Sequence, residues 1–285
     1  MKASFRIKGE LVRFKTGDGL LHHGFLVPIN SGRIVIHFHG MSSNFYDGLD
    51  PVFCSMLEKS GFGLLAINSR GHDTISSISN TKNKNMTGGT AFEKFEDSLK
   101  DVKAAVDFAA GMGFSEIVLC GHSTGCQKIA YYQGKSQDKR IKGIILLAPA
   151  DDYNIMKKMF GGKLQDIVNT ARGNKKNLLP PRMIKNQFFS GERFLSVAEP
   201  SMAEAMTFNY DSRMEIFRKI MCPVLAGFGS KEQHATKPVK EHLEILRKCS
   251  SSQKFDSFII KDANHNFTGK EKELAEEIRR WLVTL

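Results

Sequence analysis

The fold is decided by the stretch Ile117-Val118-Leu119-Cys120-Gly121-His122-Ser123-Thr124-Gly125-Cys126. Its first four residues are apolar and predict a buried strand, whereas the residues from Cys126 to Tyr132 are compatible with a helix. Glycines stand two positions before and two positions after Ser123, as a sharp turn needs where side chains crowd and the apex backbone is strained. We expect the turn to raise the Ser123 hydroxyl from the sheet edge and to point the N–H of Thr124 at a bound group. The same glycine pattern also occurs in ordinary turns, so the assignment depends on the residues elsewhere in the chain.

Length and composition predict one large α/β domain, or one such domain with an inserted subdomain. The chain has 285 residues, of which 41% are hydrophobic, and this fraction is enough for a sizeable core. Its 21 Phe and 12 Met residues indicate a broad apolar interior or an apolar pocket.

The formal net charge of the chain is +11, which would suit an anionic substrate or an acidic partner. However, Lys and Arg are spread along the sequence, with only short clusters at Lys82–Lys84, Lys157–Lys158 and Lys175–Lys176. No zinc-finger, basic-zipper or RNA-recognition motif accompanies them. We therefore expect a solvated basic surface and no nucleic-acid partner.

Cysteine usage and hydropathy predict a cytoplasmic protein. The five cysteines include no Cys-x-x-Cys pair, and three lie in or beside apolar runs, as buried free thiols do. Free thiols suit a reducing compartment. The basic start Met1–Arg6 is not followed by the apolar stretch of a secretion signal, and no segment approaches the roughly 20 apolar residues of a membrane span. The sequence leaves open whether the protein forms a homodimer.

Apolar runs alternate with helical patterns along most of the chain, which predicts a mostly parallel eight-stranded sheet with helices on both faces. The predicted strands include Arg33–Phe38, Phe62–Asn68, Lys142–Ala148, Pro223–Phe228 and Phe255–Ile260. Two earlier segments, 11–15 and 21–28, flank a Thr-Gly-Asp-Gly turn and predict an antiparallel entry at a sheet edge. The polar residues from Thr74 to Gly89 predict a mobile surface loop.

Residues 151–210 break this alternation of strands and helices. They carry helical patches at Ile155–Phe160 and Leu164–Ala171, a Pro180-Pro181 break and several aromatic residues. The segment is too long for a simple crossover, and its aromatic content argues against disorder. We predict a core of residues 1–150 and 211–285, with residues 151–210 inserted as a helical cap over the active edge. The alternative is one crossover helix followed by a disordered loop.

Three residues that suit serine catalysis each follow a predicted strand: Ser123, Glu232 and His265. A serine hydroxyl is a poor nucleophile at neutral pH, so it needs an adjacent base, and the base needs a carboxylate that fixes its tautomer and stabilises its charged form. Catalytic groups gather at the carboxyl ends of the strands in a parallel sheet, so residues far apart in sequence can meet there. We predict Ser123 as the nucleophile, His265 as the base and Glu232 as the acid.

The identity of the acid has alternatives. Asp151 and Asp152 follow the preceding predicted strand, and Asp262 lies three residues before His265. If one of these three aspartates is the acid, Glu232 would be an exposed surface carboxylate.

A second loop supplies a candidate oxyanion site. His39-Gly40-Met41 follows the strand Arg33–Phe38, and Gly40 lets the chain turn sharply so that the N–H of Met41 points at a bound oxygen. With the N–H of Thr124, it would form an oxyanion hole. We expect His39 to brace this loop through hydrogen bonds and His234 to be a solvated loop histidine.

The sequence shows no pattern for a metal or an organic cofactor. No pair of histidines has zinc spacing such as His-Glu-x-x-His, and there is no Gly-x-x-x-x-Gly-Lys-Ser/Thr phosphate loop. We expect the protein to need neither.

Several of these segments resemble motifs of the α/β-hydrolase superfamily over nearly the whole chain. The matching segments are His39-Gly40-Met41, Asn68-Ser69-Arg70-Gly71-His72, Gly121-His122-Ser123-Thr124-Gly125, Gly229-Ser230-Lys231-Glu232 and Ala263-Asn264-His265-Asn266-Phe267. The order of nucleophile, acid and histidine along the chain is also that of the superfamily. Within it, the segments 39–46 and 148–151 look like the branch that includes fungal siderophore-ester hydrolases and related bacterial proteins. Glutamate stands where the superfamily usually has aspartate, which bears on the identity of the acid and not on the fold.

The residues and the resemblance together predict a serine hydrolase that cleaves a carboxylic ester, thioester or amide of a small molecule through an acyl-enzyme. The Phe and Met residues of the cap predict an apolar wall for the acyl or alcohol part of that substrate. Because the superfamily also contains acyltransferases and non-catalytic receptors, two alternatives stay open. One is an acyltransferase with the same triad, and the other is a ligand-binding protein that keeps the fold.

Overall fold

The computed structural model describes residues 6–46 and 51–285, so the start of the chain up to Phe5 and residues 47–50 lie outside it. Its strands are β1 (Glu10–Lys15), β2 (Leu21–Val27), β3 (Arg33–Phe38), β4 (Gly63–Ile67), β5 (Ser76–Ser79), β6 (Asn85–Gly88), β7 (Glu116–His122), β8 (Ile141–Leu147), β9 (Val224–Gly229) and β10 (Phe255–Ile260). Its α-helices are α1 (Pro51–Lys59), α2 (Ser98–Gly111), α3 (Thr124–Ser136), α4 (Asp152–Phe160), α5 (Leu164–Gly173), α6 (Gly191–Ala198), α7 (Ala203–Thr207), α8 (Val239–Cys249) and α9 (Glu271–Leu282). Short 3-10 helices lie at Phe95–Asp97, Gly161–Lys163, Pro181–Ile184 and Phe217–Lys219.

Eight of the described strands form one sheet in the order β1-β2-β4-β3-β7-β8-β9-β10. β2 pairs antiparallel with both β1 and β4, whereas each neighbouring pair from β4 to β10 is parallel. In this sheet β2 therefore runs against the other seven strands. The prediction of a mostly parallel eight-stranded sheet is confirmed.

Burial along the strands follows their place in the sheet. β4 and β9 are buried at every position, whereas β10 at the edge has exposed residues among its buried ones. Strands that are apolar throughout need cover on both faces, because either face would otherwise meet water. Helices supply that cover on both sides, with α1 packed near α9 and α2 packed near α3. Among the described helices, none is both long enough and apolar enough to cross a membrane.

The segment from Thr74 to Gly89 is not the loop that its polar sequence predicts. Its strands β5 and β6 pair antiparallel as a hairpin. The side chain of Ile78 is 3% exposed and anchors the hairpin, and it packs so closely over Gly88 that any side chain there would collide with it. The prediction was wrong because one buried residue holds a strand pair that otherwise has no apolar alternation.

Residues 151–210, hereafter the cap segment, contain α4, α5, α6 and α7. Most of their buried apolar side chains form a hydrophobic cluster of their own, which includes Phe160, Phe189 and Phe194 and which Met41 of the β3 loop contacts, whereas Phe208 and Tyr210 belong to the main core. The two ends of the segment meet, since Tyr210 donates its backbone N–H to Asp151 Oδ2 over 3.0 Å. Joined ends and a separate cluster are what an insertion requires. The division of the chain into a core and a cap subdomain stays a proposal.

The cap cluster gives a prediction for stability. Phe194 is fully buried, with its ring 5.8 Å from that of Phe160, whereas Phe188 on the same segment is 47% exposed. We expect Phe194→Ala to lower the free energy of unfolding by about 3–5 kcal/mol, because it removes a buried ring and leaves a cavity. The control Phe188→Ala should change it by about 0.5 kcal/mol or less. Urea denaturation followed by circular dichroism measures both, and equal losses would contradict a packed cap cluster.

Candidate active site

The site lies where the chain changes direction across the sheet. β3 and β7 are neighbours, but the chain continues from β3 to β4 on one side and from β7 to β8 on the other. The loops after β3 and β7 therefore diverge and leave a crevice at the carboxyl ends of these strands, which is where open α/β sheets bind ligands. The β3 loop contains Met41, and the turn after β7 contains Ser123.

The turn at Ser123 has the strained geometry that its sequence predicts. Ser123 has φ +54° and ψ −124°, a conformation that residues with a side chain rarely adopt. A Cβ on Gly121 would lie 2.5 Å from the backbone of Gly125, and a Cβ on Gly125 would collide with the carbonyl oxygen of Phe38. Glycine is thus required at both positions, at Gly121 because the turn folds back tightly on itself and at Gly125 because the turn packs directly against the end of β3. The Ser123 N–H donates to the Leu147 carbonyl over 2.9 Å, which holds the turn on β8.

Hydrogen bonds hold the β3 loop in place. His39 donates from Nδ1 to the Gly40 carbonyl over 2.8 Å, and its Nε2 accepts the Ser69 N–H over 3.2 Å. These two contacts give His39 the bracing role predicted for it. Thr90 Oγ1 accepts the Ser42 N–H over 2.7 Å and donates to the Gly71 carbonyl over 3.0 Å, which ties the loop to the one after β4.

The two predicted oxyanion donors have no competing acceptor. In the part of the chain that the structure describes, neither the Met41 N–H nor the Thr124 N–H makes a hydrogen bond. Thr124 is the first residue of α3, where a helix leaves its N–H groups unpaired. Both residues line the same pocket as Ser123. The geometry is therefore compatible with an oxyanion hole, and that role stays a proposal.

Glu232 is the carboxylate that contacts His265. Both of its carboxyl oxygens lie 2.9 Å from His265 Nδ1, and the Glu232 side chain is 2% exposed. The backbone N–H of His234 donates to Glu232 Oε1 over 2.9 Å. Burial disfavours the charged carboxylate, but the hydrogen bond and the charge of His265 outweigh it and hold the pKa of Glu232 below its usual value.

The three alternative acids have other partners. Asp151 caps α4 by accepting the Asn154 N–H over 3.1 Å, and Asp152 accepts from Gln127 Nε2 over 2.5 Å. Asp262 is exposed and forms an ion pair of 2.9 Å with Lys231. Within the described residues, none of these three carboxylates contacts the His265 ring.

Two further histidines flank the ring of His265, a role that the sequence did not indicate. His122 donates from Nε2 to the His265 carbonyl over 2.9 Å, and the two ring centroids are 4.9 Å apart. Burial, together with the nearby His265, lowers the pKa of His122 to about 4, so it is neutral at neutral pH. His234 is the exposed loop residue that the sequence predicts, but its ring also packs edge-on against the other side at 4.7 Å and lines the pocket. Neither contact leaves a sequence pattern, since both join loops that are distant along the chain.

The structure brings Ser123 and His265 to one pocket without joining them. Both residues line it, but across residues 6–46 and 51–285 neither Ser123 Oγ nor His265 Nε2 has a hydrogen-bond partner. The Ser123–His265 hydrogen bond of a serine triad is therefore not formed here. Such bonds are often long or poorly aligned when no substrate is bound.

The pocket has a volume of about 250 Å³ and a mostly apolar lining. The cap segment supplies part of that lining through Ile155, Met156, Met159 and Gln187. No Lys or Arg is among the described residues that line it, and its one acidic residue is Asp152. The expectation of an anionic substrate, which rested on the net charge of the whole chain, therefore finds no matching side chain in this pocket.

Buried charges lie between the core and the cap segment. Lys128 on α3 pairs with Glu93 over 2.6 Å, and Arg193 on α6 pairs with Glu204 on α7; all four side chains are buried. Burial raises the pKa of the neighbouring Asp152 to about 7, because the charge of Glu204 adds to the effect and that of Arg193 only partly offsets it.

No group of three or more His, Cys, Asp or Glu side chains in the described ranges has the arrangement of a metal site.

Comparison with protein families and with curated proteins gives one match in sequence. A family model described as "Protein of unknown function (DUF1749)" matches residues 86–284. Among curated proteins, none matches the chain.

Comparison with solved structures finds the same architecture in enzymes of low sequence identity. The structure of DcsB in complex with its substrate analogue has a TM-score of 0.68 at 15% identity, covering 96% of this chain and 98% of that one. A soluble variant of monoglyceride lipase from Saccharomyces cerevisiae has a TM-score of 0.67 at 13% identity, covering 99% and 97%. Est1E from Butyrivibrio proteoclasticus with bound ferulic acid has a TM-score of 0.65 at 16% identity, covering 95% and 98%. These likenesses confirm the predicted α/β-hydrolase fold.

Asp152 gives a prediction for the dependence of stability on pH. Its pKa in the folded protein is about 7, against an ordinary value of 3.8. Between these two values the folded protein holds a proton that the unfolded chain releases, so wild-type protein loses stability as the pH rises. Asparagine does not titrate, and we expect Asp152→Asn to gain stability relative to wild type from about pH 4 to about pH 7, by at most about 1.4 kcal/mol per pH unit.

Urea denaturation at pH 5, 6, 7 and 8 measures this difference in the free energy of unfolding. The matched control is Asp166→Asn on α5, because Asp166 is exposed and water solvates it in both states. A difference for Asp152→Asn that stays constant over this range would contradict the prediction.

Proposed function

The chain belongs to the family described as "Protein of unknown function (DUF1749)" and has the α/β-hydrolase fold, and from these two premises we propose that it is a serine hydrolase acting on small-molecule esters. Thioesters and amides are cleaved by the same chemistry and belong to the proposal. One observation carries it: the buried Glu232 holds His265 Nδ1 at 2.9 Å in a pocket that Ser123 also lines. The monoglyceride lipase with this fold supports the choice of esters as substrates.

In this proposal Ser123 Oγ attacks the substrate carbonyl while His265 Nε2 takes its proton. Glu232 fixes the tautomer with the proton on Nδ1 and stabilises the imidazolium that forms. The N–H groups of Met41 and Thr124 bind the oxyanion, and removing one such donor typically raises the barrier by about 2.7–4 kcal/mol. His265 then gives its proton to the leaving group, and water releases the acyl group from Ser123 by the same steps.

Two alternatives use the same pocket. An acyltransferase would pass the acyl group to an alcohol or an amine instead of water, so adding such acceptors and analysing the products separates the two reactions. A non-catalytic ligand-binding protein would leave Ser123 inert towards a fluorophosphonate probe. The cytoplasmic location stays a prediction from the sequence, as does the possibility of a homodimer.

The proposed nucleophile, Ser123, gives one prediction for activity. We expect Ser123→Ala to reduce hydrolysis of p-nitrophenyl esters by about 10³-fold or more and to abolish labelling by a fluorophosphonate, because both need the hydroxyl. The control is Ser201→Ala, since Ser201 lies exposed on the cap segment. Ester hydrolysis that survives in Ser123→Ala would rule out the proposed role.

The proposed acid, Glu232, gives another prediction for activity. We expect Glu232→Gln to lower kcat by about 10²- to 10⁴-fold, because glutamine keeps the shape but does not stabilise the imidazolium. Asp262→Asn, on the loop that carries His265, is the matched control and should retain activity because its partner is Lys231. Steady-state kinetics with one activated ester measures both, and loss of activity only in Asp262→Asn would transfer the role to Asp262.

A further inference from the structure

Gln187 places an unpaired amide at the pocket. It comes from the cap segment and lines the pocket together with residues of the core loops. Its Oε1 is buried, and among the described residues it has no hydrogen-bond partner. A buried polar atom without a partner is unfavourable, and in native proteins it commonly marks a place where a ligand or a water supplies the missing bond. Rotation about the terminal bond exchanges the two ends of the amide, so either a donor or an acceptor can face the pocket.

Asp152 also lines the pocket, and only one of its two carboxyl oxygens makes a hydrogen bond to a described residue. Its Oδ2 accepts from Gln127 Nε2, whereas Oδ1 makes no hydrogen bond within the described part of the chain. The residue is 5% exposed, so bulk water gives it little solvation. Asp152 also lacks a counter-ion of its own, because the neighbouring buried charges already form the pairs Lys128–Glu93 and Arg193–Glu204. An unpaired carboxyl at this place therefore gains a hydrogen bond from any donor that a ligand brings.

Other polar side chains also line the pocket, among them Ser43, His234 and Asn266, but these belong to the core and not to the cap segment. The side chains that the cap segment adds around these two groups, Ile155, Met156 and Met159, are apolar. The polar residues on the other side, Ser123 and His265, are assigned to the reaction in the proposed function. Asp152 and Gln187 are thus the polar groups of the cap side that are free to select a substrate.

We propose that Asp152 and Gln187 form a specificity site for substrates whose acyl or alcohol part carries a hydrogen-bond donor, either a hydroxyl or an ammonium group. The hydroxyl or ammonium group of the substrate donates a hydrogen bond to Asp152 Oδ1. A hydroxyl can also accept from the Gln187 amide or donate to it, and an ammonium group donates to Gln187 Oε1. The apolar side chains of α4 hold the hydrocarbon part between this site and Ser123. This inference deepens the proposed function and rests on it.

Matched esters test the preference. For the acyl side, p-nitrophenyl heptanoate is compared with p-nitrophenyl 6-hydroxyhexanoate and 6-ammoniohexanoate, in which a hydroxyl or an ammonium group replaces the terminal methyl group. For the alcohol side, pentyl butyrate is compared with 4-hydroxybutyl butyrate in a pH-stat. We expect at least one donor-bearing ester to have a kcat/KM about tenfold or more above that of its methyl-terminated counterpart, because a site built around polar groups loses their hydrogen bonds when the donor is missing.

Variants assign the preference to the two residues. Asp152→Leu and Gln187→Met remove the polar groups at similar size, and each should reduce the ratio of kcat/KM values towards one. Because the ratio is taken within each variant, a general change in activity cancels. Asp152→Asn separates the two chemistries, since it should abolish a preference for ammonium and largely keep one for hydroxyl. Asp166→Asn and Gln165→Met, both exposed on α5, are the matched controls and should keep the wild-type ratio.

The outcomes are distinct from those for the proposed function. If wild-type protein hydrolyses the methyl-terminated esters in a Ser123-dependent manner and no donor-bearing ester exceeds its counterpart by about tenfold in kcat/KM, the specificity site is refuted while the hydrolase stands. A donor preference that persists in both Asp152→Leu and Gln187→Met also refutes it. If no ester is hydrolysed in a Ser123-dependent manner, both proposals fail. Should Asp152→Leu not fold, Gln187→Met decides the question alone.

Discussion

The candidate site depends on one close approach between two pieces of backbone. Gly125, in the turn after β7, packs against the carbonyl of Phe38 at the end of β3, and no side chain fits between them. This contact joins the loop that carries Met41 to the turn that carries Thr124, and these two residues supply the proposed oxyanion donors. It also keeps Ser123 at φ +54°, a strained conformation that persists only where the surrounding structure determines it.

The loop that carries His265 is held at several points, although it follows the last strand and is far from Ser123 in the sequence. Glu232 binds His265 at Nδ1, Gln233 Oε1 accepts its backbone N–H over 2.9 Å, and His122 binds its carbonyl. Two imidazole rings pack against its own ring. These contacts leave Nε2 as the ring atom that is available on the pocket side. Preorganisation of this kind matters because a base that must first be ordered adds the cost of ordering to the barrier.

Much of the fold could be predicted from the sequence, because its signals are local. Continuous apolar strands, glycines two residues either side of Ser123 and a histidine after the last strand each arise from a few neighbouring residues. The hairpin at β5 and β6 could not, since it depends on one buried side chain, Ile78, and on backbone contacts to distant residues such as Leu20. The pairing of Glu232 with His265 was predicted among alternatives, because only the loop conformations decide which of several carboxylates reaches the ring. The places of His234 and Gln187 at the pocket depend on contacts between distant loops, which no local pattern encodes.

The buried ion pairs make the cap segment hard to exchange. Arg193 and Glu204 belong to that segment, whereas Lys128 and Glu93 belong to the core, and the charge of Glu93 acts on Arg193 across the boundary. A graft from another protein of this fold would place foreign side chains over Lys128 and Glu93, and a buried ion that loses its surrounding charges costs several kcal/mol. The covering helices and α3 therefore depend on one another's charges, and a chimaera would have to carry both halves of the charge arrangement together.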